Sequence, residues 1–169
     1  MDNIILIGFM GCGKTSVGGR LANKLHFAFF DTDQLIEEES KRSIRNIFAQ
    51  EGEEYFRELE TTTIVNLYGK LNQSVLSVGG GLPIREGNGA LLRRLGQVIY
   101  LKSSKETTRK RLLGDTTRPL LVGADADDKI GNLLKFRTPI YESVANITVA
   151  TDDRSIEDII EEIITKISQ

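Results

Sequence analysis

An eight-residue string constrains this chain more than any other feature. Gly8-Phe9-Met10-Gly11-Cys12-Gly13-Lys14-Thr15 follows the apolar run Ile4-Ile5-Leu6-Ile7 and precedes a helical stripe of Val17, Leu21, Ala22 and Leu25. It satisfies Gly-x-x-x-x-Gly-Lys-Ser/Thr in full, in the strand-to-helix setting that gives the pattern its physical meaning. Glycines let main-chain N–H groups turn inward around phosphate oxygens, and the helix that follows offers its positive N-terminus. Lys14 reaches the outer phosphates and the Thr15 hydroxyl binds Mg2+. Gly11, Cys12, Gly13, Lys14, Thr15 and Ser16 are therefore the candidate nucleotide-binding residues. Cys12 occupies a variable position of the loop, where the backbone does the work, and no partner base is evident for its thiol.

The rest of the chain reads as the scaffold such a loop requires. Apolar runs alternate with helical stripes from end to end, the pattern of strand-helix units around a parallel sheet, so the expected fold class is α/β. Strands are expected at 3–9, 28–31, 74–78, 98–101 and 146–150, their near-continuous apolar character suiting helices on both faces. Ile156, Ile159, Ile160, Ile163, Ile164 and Ile167 mark a final helix, opened by a capping box of Ser155 and Asp158. No repeat or linker divides the 169 residues, and one domain over 1–169 is expected. A formal net charge of -2 argues against a nucleic-acid partner. The N-terminal apolar run is too short for a membrane span and lacks a basic leader, so it reads as a buried strand. A lone Cys12 forms no internal disulfide, and cytoplasm is the expected address. His26, the only histidine, falls where the first helix ends and reads as a favourable end-of-helix charge.

Two segments depart from the regular scheme. Residues 114–128, GDTTRPLLVGADADD, carry neither helical nor strand periodicity and are expected to be a mobile flap. Residues 41–60 hold a short helix from Ser43, a break at Gly52 and a second helix carrying Phe56, Leu59, Ile64 and Leu67.

A phosphate loop alone names no activity. The nearest string to the Asn-Lys-x-Asp guanine reader is Asn23-Lys24-Leu25-His26, with the wrong last residue, which weakens a GTPase-switch reading. The third strand, Val75-Leu76-Ser77-Val78, does not end in a metal-binding aspartate, so another carboxylate must serve. Phe29-Phe30-Asp31-Thr32-Asp33 supplies two at the carboxyl end of the second strand, where such sheets bind ligands. One reading sets Asp31 toward Mg2+ and lets Asp33 accept a hydrogen bond from an acceptor hydroxyl. The other has Asp31 end the strand and Asp33 cap the next helix. Arg57 has Glu53 four residues before it and Glu60 three after, all on one helical face. Arg137 falls on the apolar stripe of Ile130, Leu133, Leu134, Tyr141 and Val144, where a charge needs a partner. Pro139 is expected to bend that helix by crowding the Lys135 carbonyl. Gly79-Gly80-Gly81 after the third strand permits close approach to the backbone.

Taken together, GFMGCGKT, the Asp31-Thr32-Asp33 triplet, SIRNIFAQEGEEYFRELE at 43–60, the triple glycine, RPLL at 118–121 and RTPIYESVA at 137–145 resemble the shikimate kinases over nearly the whole chain. The resemblance implies a three-layer P-loop fold like that of nucleoside monophosphate kinases, with five parallel strands in the order 2-3-1-4-5 and a lid over 112–125. It implies ATP-dependent phosphorylation of the 3-hydroxyl of shikimate, in the chorismate route to aromatic amino acids. ATP is the co-substrate, Mg2+ the cofactor, shikimate the small-molecule partner and a monomer the expected state. Residues 33–60 become the substrate-binding segment. Arg57 and Arg137 clamp the substrate carboxylate, Glu60 orients Arg57, and Gly79, Gly80 and Gly81 border the ring. Asp33 orients the hydroxyl and takes its proton, with Lys14 and Arg118 as its catalytic companions. Arg111 stacks on adenine, with Arg109 as an alternate, and Ser155 lies on the nucleotide side. Thr15 and Asp31 hold the metal, and Ser77 contributes to it through water. Asn46 stands where an acidic residue is expected, and Ile156 where some relatives carry proline. A gluconate kinase and a non-catalytic nucleotide-binding regulatory module remain the alternatives.

Overall fold

A computed structural model describes residues 2–112 and 126–169. Five parallel strands, β1 (Ile4–Ile7), β2 (Ala28–Asp31), β3 (Ser74–Ser77), β4 (Gln97–Lys102) and β5 (Ile147–Ala150), form one sheet in the order β2-β3-β1-β4-β5. The helices are α1 (Lys14–Leu25), α2 (Thr32–Ser40), α3 (Ile44–Glu51), α4 (Glu53–Asn66), α5 (Asn88–Leu95), α6 (Lys105–Leu112), α7 (Ala126–Val144) and α8 (Ile156–Ile167). A single 3-10 turn spans Leu82–Ile84.

Strand pleating sorts the central run into two cores. Ile5 and Ile7 of β1 face one way, onto Ile64 of α4, Leu92 of α5 and Leu134 and Tyr141 of α7. Ile4 and Leu6 face the other way, onto Val17 and Leu21 of α1 and Ile159, Ile160 and Ile163 of α8. A third, smaller cluster joins Ile36, Ile47 and Phe56, with the Phe48 and Phe56 rings 4.8 Å apart, and locks α2, α3 and α4 to one another. The 41–60 segment is thus two packed helices hinged at Gly52, whose φ of 86° lies in the region glycine favours.

Helix ends follow the sequence with two differences. Ser43 and Ser155 accept from the N–H groups of Asn46 and Asp158, each at 3.1 Å. His26 closes α1 through left-handed backbone (φ 58°) and its own N–H, so its part in ending the helix is a main-chain one. Leu112 of the expected lid and residues 126–128 of the expected flap are helical. Leu112 is buried as the last residue of α6, and α7 begins at Ala126 and continues through Pro139. Residues 113–125, with Arg118, lie outside the described residues. Among those described, no helix is long and apolar enough to cross a membrane.

Gly18 shows how tightly α1 is seated. A Cβ there would stand 2.6 Å from Cε2 of Phe29 on β2 and 3.2 Å from Cδ1 of Leu6 on β1. Alanine favours helix, yet overpacking outweighs that gain. Gly18→Ala is expected to lower the unfolding free energy by about 1–3 kcal/mol in urea titrations.

Candidate active site

The register of the sheet brings three strand ends level. Ser77 of β3 pairs with Leu6 of β1 on one side and with Asp31 of β2 on the other. The loops that leave these strands therefore start together at the carboxyl edge, where open parallel sheets bind ligands.

The first loop wraps the start of α1. Gly13 is its N-cap, with φ 95°, and no side chain caps the helix, so the N–H groups of its first turn are open to an anion. Lys14 Nζ donates to the carbonyls of Gly8 at 2.7 Å and Phe9 at 3.0 Å, and lies 3.6 Å from the buried Cys12 Sγ. Thr15 Oγ1 stands 3.5 Å from Asp31 Oδ2. The second Asp31 oxygen accepts from Gln34 N–H at 3.1 Å, which makes Asp31 the cap of α2. The alternative that gave this cap to Asp33 is corrected: Asp33 lies one residue inside the helix, and Asp31 both caps it and faces Thr15. A hydroxyl and one carboxylate at this spacing suit Mg2+, which takes few protein oxygens and keeps water or phosphate for the rest.

Two clefts open from this edge. One, of about 240 Å3, is bordered by the phosphate loop from Met10 to Ser16, by Asp31 and Ser77, and by Asp33, Gly79 and Gly80. The other, of about 430 Å3, is bordered by Arg57, Glu60, Gly81, Arg137, Phe48 and Phe56. Met10, Asp33, Gly79 and Gly80 line both, so Asp33 stands at the junction.

The second cleft is built on an ionic cluster. Arg57 pairs with Glu60 at 2.6 Å and with Glu53 at 3.4 Å, so both partners offered by helical spacing are used. Glu60 is only 1% exposed, and its Oε2 has no hydrogen-bond partner among the described residues. Burial pushes its carboxyl up to about 7 against the pull of Arg57, with Asp33 adding to the rise and Arg137 opposing it. Burial also works against the Arg57 charge, but Glu60 and Glu53 outweigh it and raise that guanidinium further. Arg137, 5% exposed, lies 5.6 Å over the Phe9 ring, and its Nη1 lacks a hydrogen-bond partner among the described residues. This is the buried, under-satisfied cation that its place on the apolar stripe predicts.

The triple glycine serves these side chains. A Cβ at Gly79 would lie 2.9 Å from both Asp33 Oδ1 and Glu60 Oε2, at Gly80 3.5 Å from Arg137 Nη1, and at Gly81 2.3–2.5 Å from the Arg57 guanidinium. Gly79 and Gly81 make room for charged groups, whereas at Gly80 the nearest atom is the Met10 backbone nitrogen at 3.3 Å. Thr32 Oγ1 accepts from Gly79 N–H at 2.9 Å, and Tyr141 donates to Gly80 O at 2.5 Å. The sequence reading missed Thr32, Tyr141 and Met10. Thr32 sits inside the Asp31-Thr32-Asp33 triplet, but nothing local marks it as a loop anchor.

The remaining candidates are less central. Arg111 Nη1 donates to Gly11 O at 3.2 Å, which sets it on the phosphate loop. Ser155 uses its hydroxyl to cap α8. A cleft of about 620 Å3 lies at the opposite edge of the sheet. There Asn3 donates to Leu95 O at 3.0 Å, Arg93 donates to the Val144 and Ser143 carbonyls, and Arg94 lies over the Tyr68 ring.

A parallel sheet with a phosphate loop after β1, opening beside a second cleft rich in arginine, defines a P-loop small-molecule kinase. The family model described as shikimate kinase matches residues 10–168. A shikimate kinase of Sulfurihydrogenibium sp. is 43% identical over 171 residues, covering 100% of this chain and 99% of its own. The solved shikimate kinase from Acinetobacter baumannii, in complex with shikimate, has a TM-score of 0.95 at 37% identity, covering 99% of this chain and 93% of its own. The chain belongs to the shikimate kinase family. A gluconokinase from Sinorhizobium meliloti, at TM-score 0.59 and 13% identity over 99% of this chain and 91% of its own, shares the fold alone.

Gly81→Ala tests the seat of Arg57. The added methyl displaces a guanidinium rather than backbone, so the fold survives while the group moves by an ångström or more. Shikimate binding is expected to weaken roughly tenfold or more in calorimetric titration, with nucleotide affinity unchanged.

Proposed function

We propose that the chain transfers the terminal phosphate of ATP to the 3-hydroxyl of shikimate. The observation that carries this reading is the junction at Asp33: an arginine-lined cleft of acceptor size meets the phosphate-loop cleft at one carboxylate. Shikimate carries one acid and three hydroxyls. Arg57 and Arg137 bind the acid, Arg137 with a buried N–H still to be satisfied. The triple-glycine loop lets the ring approach the backbone. Asp33 orients the 3-hydroxyl toward the phosphate and accepts its proton as the new bond forms.

On the other side, the open N–H groups at the start of α1 bind phosphate oxygens. Lys14 exchanges the Gly8 and Phe9 carbonyls for the outer phosphates, a better partner for an ammonium. Thr15 and Asp31 would hold Mg2+, which when bound neutralises charge on the phosphate oxygens. Arg111, already on the phosphate loop, offers its planar cation to the base. Because phosphoryl transfer is mostly positioning and electrostatics, Asp33 need not be a strong base in the resting site. A gluconokinase shares the fold at only 13% identity, and since gluconate is also an acid with hydroxyls, it is the family match rather than the arginines alone that supports shikimate.

Coupled ADP release with shikimate, gluconate and no acceptor tests the assignment, with turnover expected for shikimate alone. Asp33→Asn is expected to lower kcat by about 10^2 to 10^4. Arg137→Ala removes a charge-assisted contact of about 1.5–3 kcal/mol, and KM for shikimate should rise about 10- to 100-fold while kcat changes less. Full turnover in Asp33→Asn would reject its role.

A further inference from the structure

We propose that Glu60 is a proton-binding site coupled to acceptor binding: when a carboxylate settles on Arg57, Glu60 takes up one proton from solvent. The inference rests on the acceptor reading above. Its basis is a charge count in a buried space. Glu60 is faced by Arg57 on its own helix, Asp33 on α2 and Arg137 on α7, with Glu53 reaching it only through Arg57. Setting aside Glu53, whose side chain is 54% exposed to water, two guanidinium cations face the Asp33 and Glu60 carboxylates before an acceptor arrives. An acceptor acid bound to Arg57 and Arg137 makes three carboxylates against two cations, and one added proton restores balance.

Glu60 is the group placed to take it. It is 1% exposed, one of its oxygens has no partner among the described residues, and its closest cation is the one the acceptor engages. Burial already holds its carboxyl near 7, so losing part of Arg57 and gaining a negative neighbour drives it further up. Asp33, at the junction of the two clefts, is the neighbouring carboxylate, and a Glu60→Gln variant separates the two. No bond other than the O–H of Glu60 forms, and the proton comes from buffer.

The sign follows from linkage. Below about pH 7 Glu60 is protonated with or without acceptor, and affinity is flat. Above that value the free site is ionised while the occupied site is protonated, so affinity falls as pH rises. The fall approaches tenfold per pH unit until the occupied site also ionises.

Calorimetric titration of shikimate at pH 7.5, in buffers of different ionisation enthalpy, counts protons directly. The wild-type protein is expected to take up about half a proton or more per acceptor bound. Glu60→Gln, isosteric and still able to accept from Arg57, is expected to take up none and to bind shikimate equally well at pH 6.5 and 8.5. Binding by the wild type without proton uptake would overturn the proposal alone, as would uptake that persists in Glu60→Gln. Absence of shikimate binding would overturn the acceptor assignment itself. Even if the variant does not fold, a wild-type count of no proton taken up overturns the proposal.

Discussion

Level strand ends are the constraint on which everything else depends. The backbone hydrogen bonds that pair Ser77 with both Leu6 and Asp31 start three loops at one height. Without that register the phosphate loop, the Asp31–Asp33 turn and the triple glycine would be three unrelated features of one chain. With it, a carboxylate that ends β2 faces a hydroxyl that begins α1, and a glycine that follows β3 is held by the threonine between the two aspartates. Parallel strands force this arrangement because every connection must cross the sheet and return in the same direction.

The buried ionic cluster carries a desolvation cost. Ion pairs on the surface, such as Arg20 with Glu157, are worth about 0–1 kcal/mol and contribute little to the fold. Arg57, Glu60 and Arg137 are different: they are withdrawn from water, and the free oxygen on one and free nitrogen on another have no partner among the described residues. A fold selected for stability alone would replace them with apolar side chains. In the proposed function, that incomplete bonding suits an acid with hydroxyls. The same desolvation that raises Glu60 ties that partner's arrival to proton uptake. Recognition and acid-base state share one origin in burial.

Local features of the site were legible in the sequence where spacing alone decides geometry. The phosphate loop is a contiguous string, and Arg57 meets Glu53 and Glu60 because helical spacing puts them on one face. Arg137 was recognisable as a charge on an apolar stripe. Of the two readings of the aspartate pair, the one that made Asp33 the cap fails, since either aspartate suits a cap and only the point where β2 stops selects between them. The triple glycine suggested room for a ring. Its further use, making room for Asp33, Glu60 and Arg57, depends on side chains from two helices, α2 and α4.

By itself the sequence determined that a strand, a phosphate loop and a helix follow one another, that two aspartates fall where the second strand gives way to a helix, and that an arginine sits among glutamates. Those are properties of neighbours in the chain, set by backbone conformation and helical or strand repeat. Tertiary structure alone decided that Asp33 stands between two clefts, that Arg57 and Arg137 border the same one, and that Glu60 keeps one oxygen without a partner among the described residues. These residues are far apart in sequence, and only the packing of α2, α4 and α7 around the carboxyl edge of the sheet brings them together, because burial and charge coupling act through space and not along the chain.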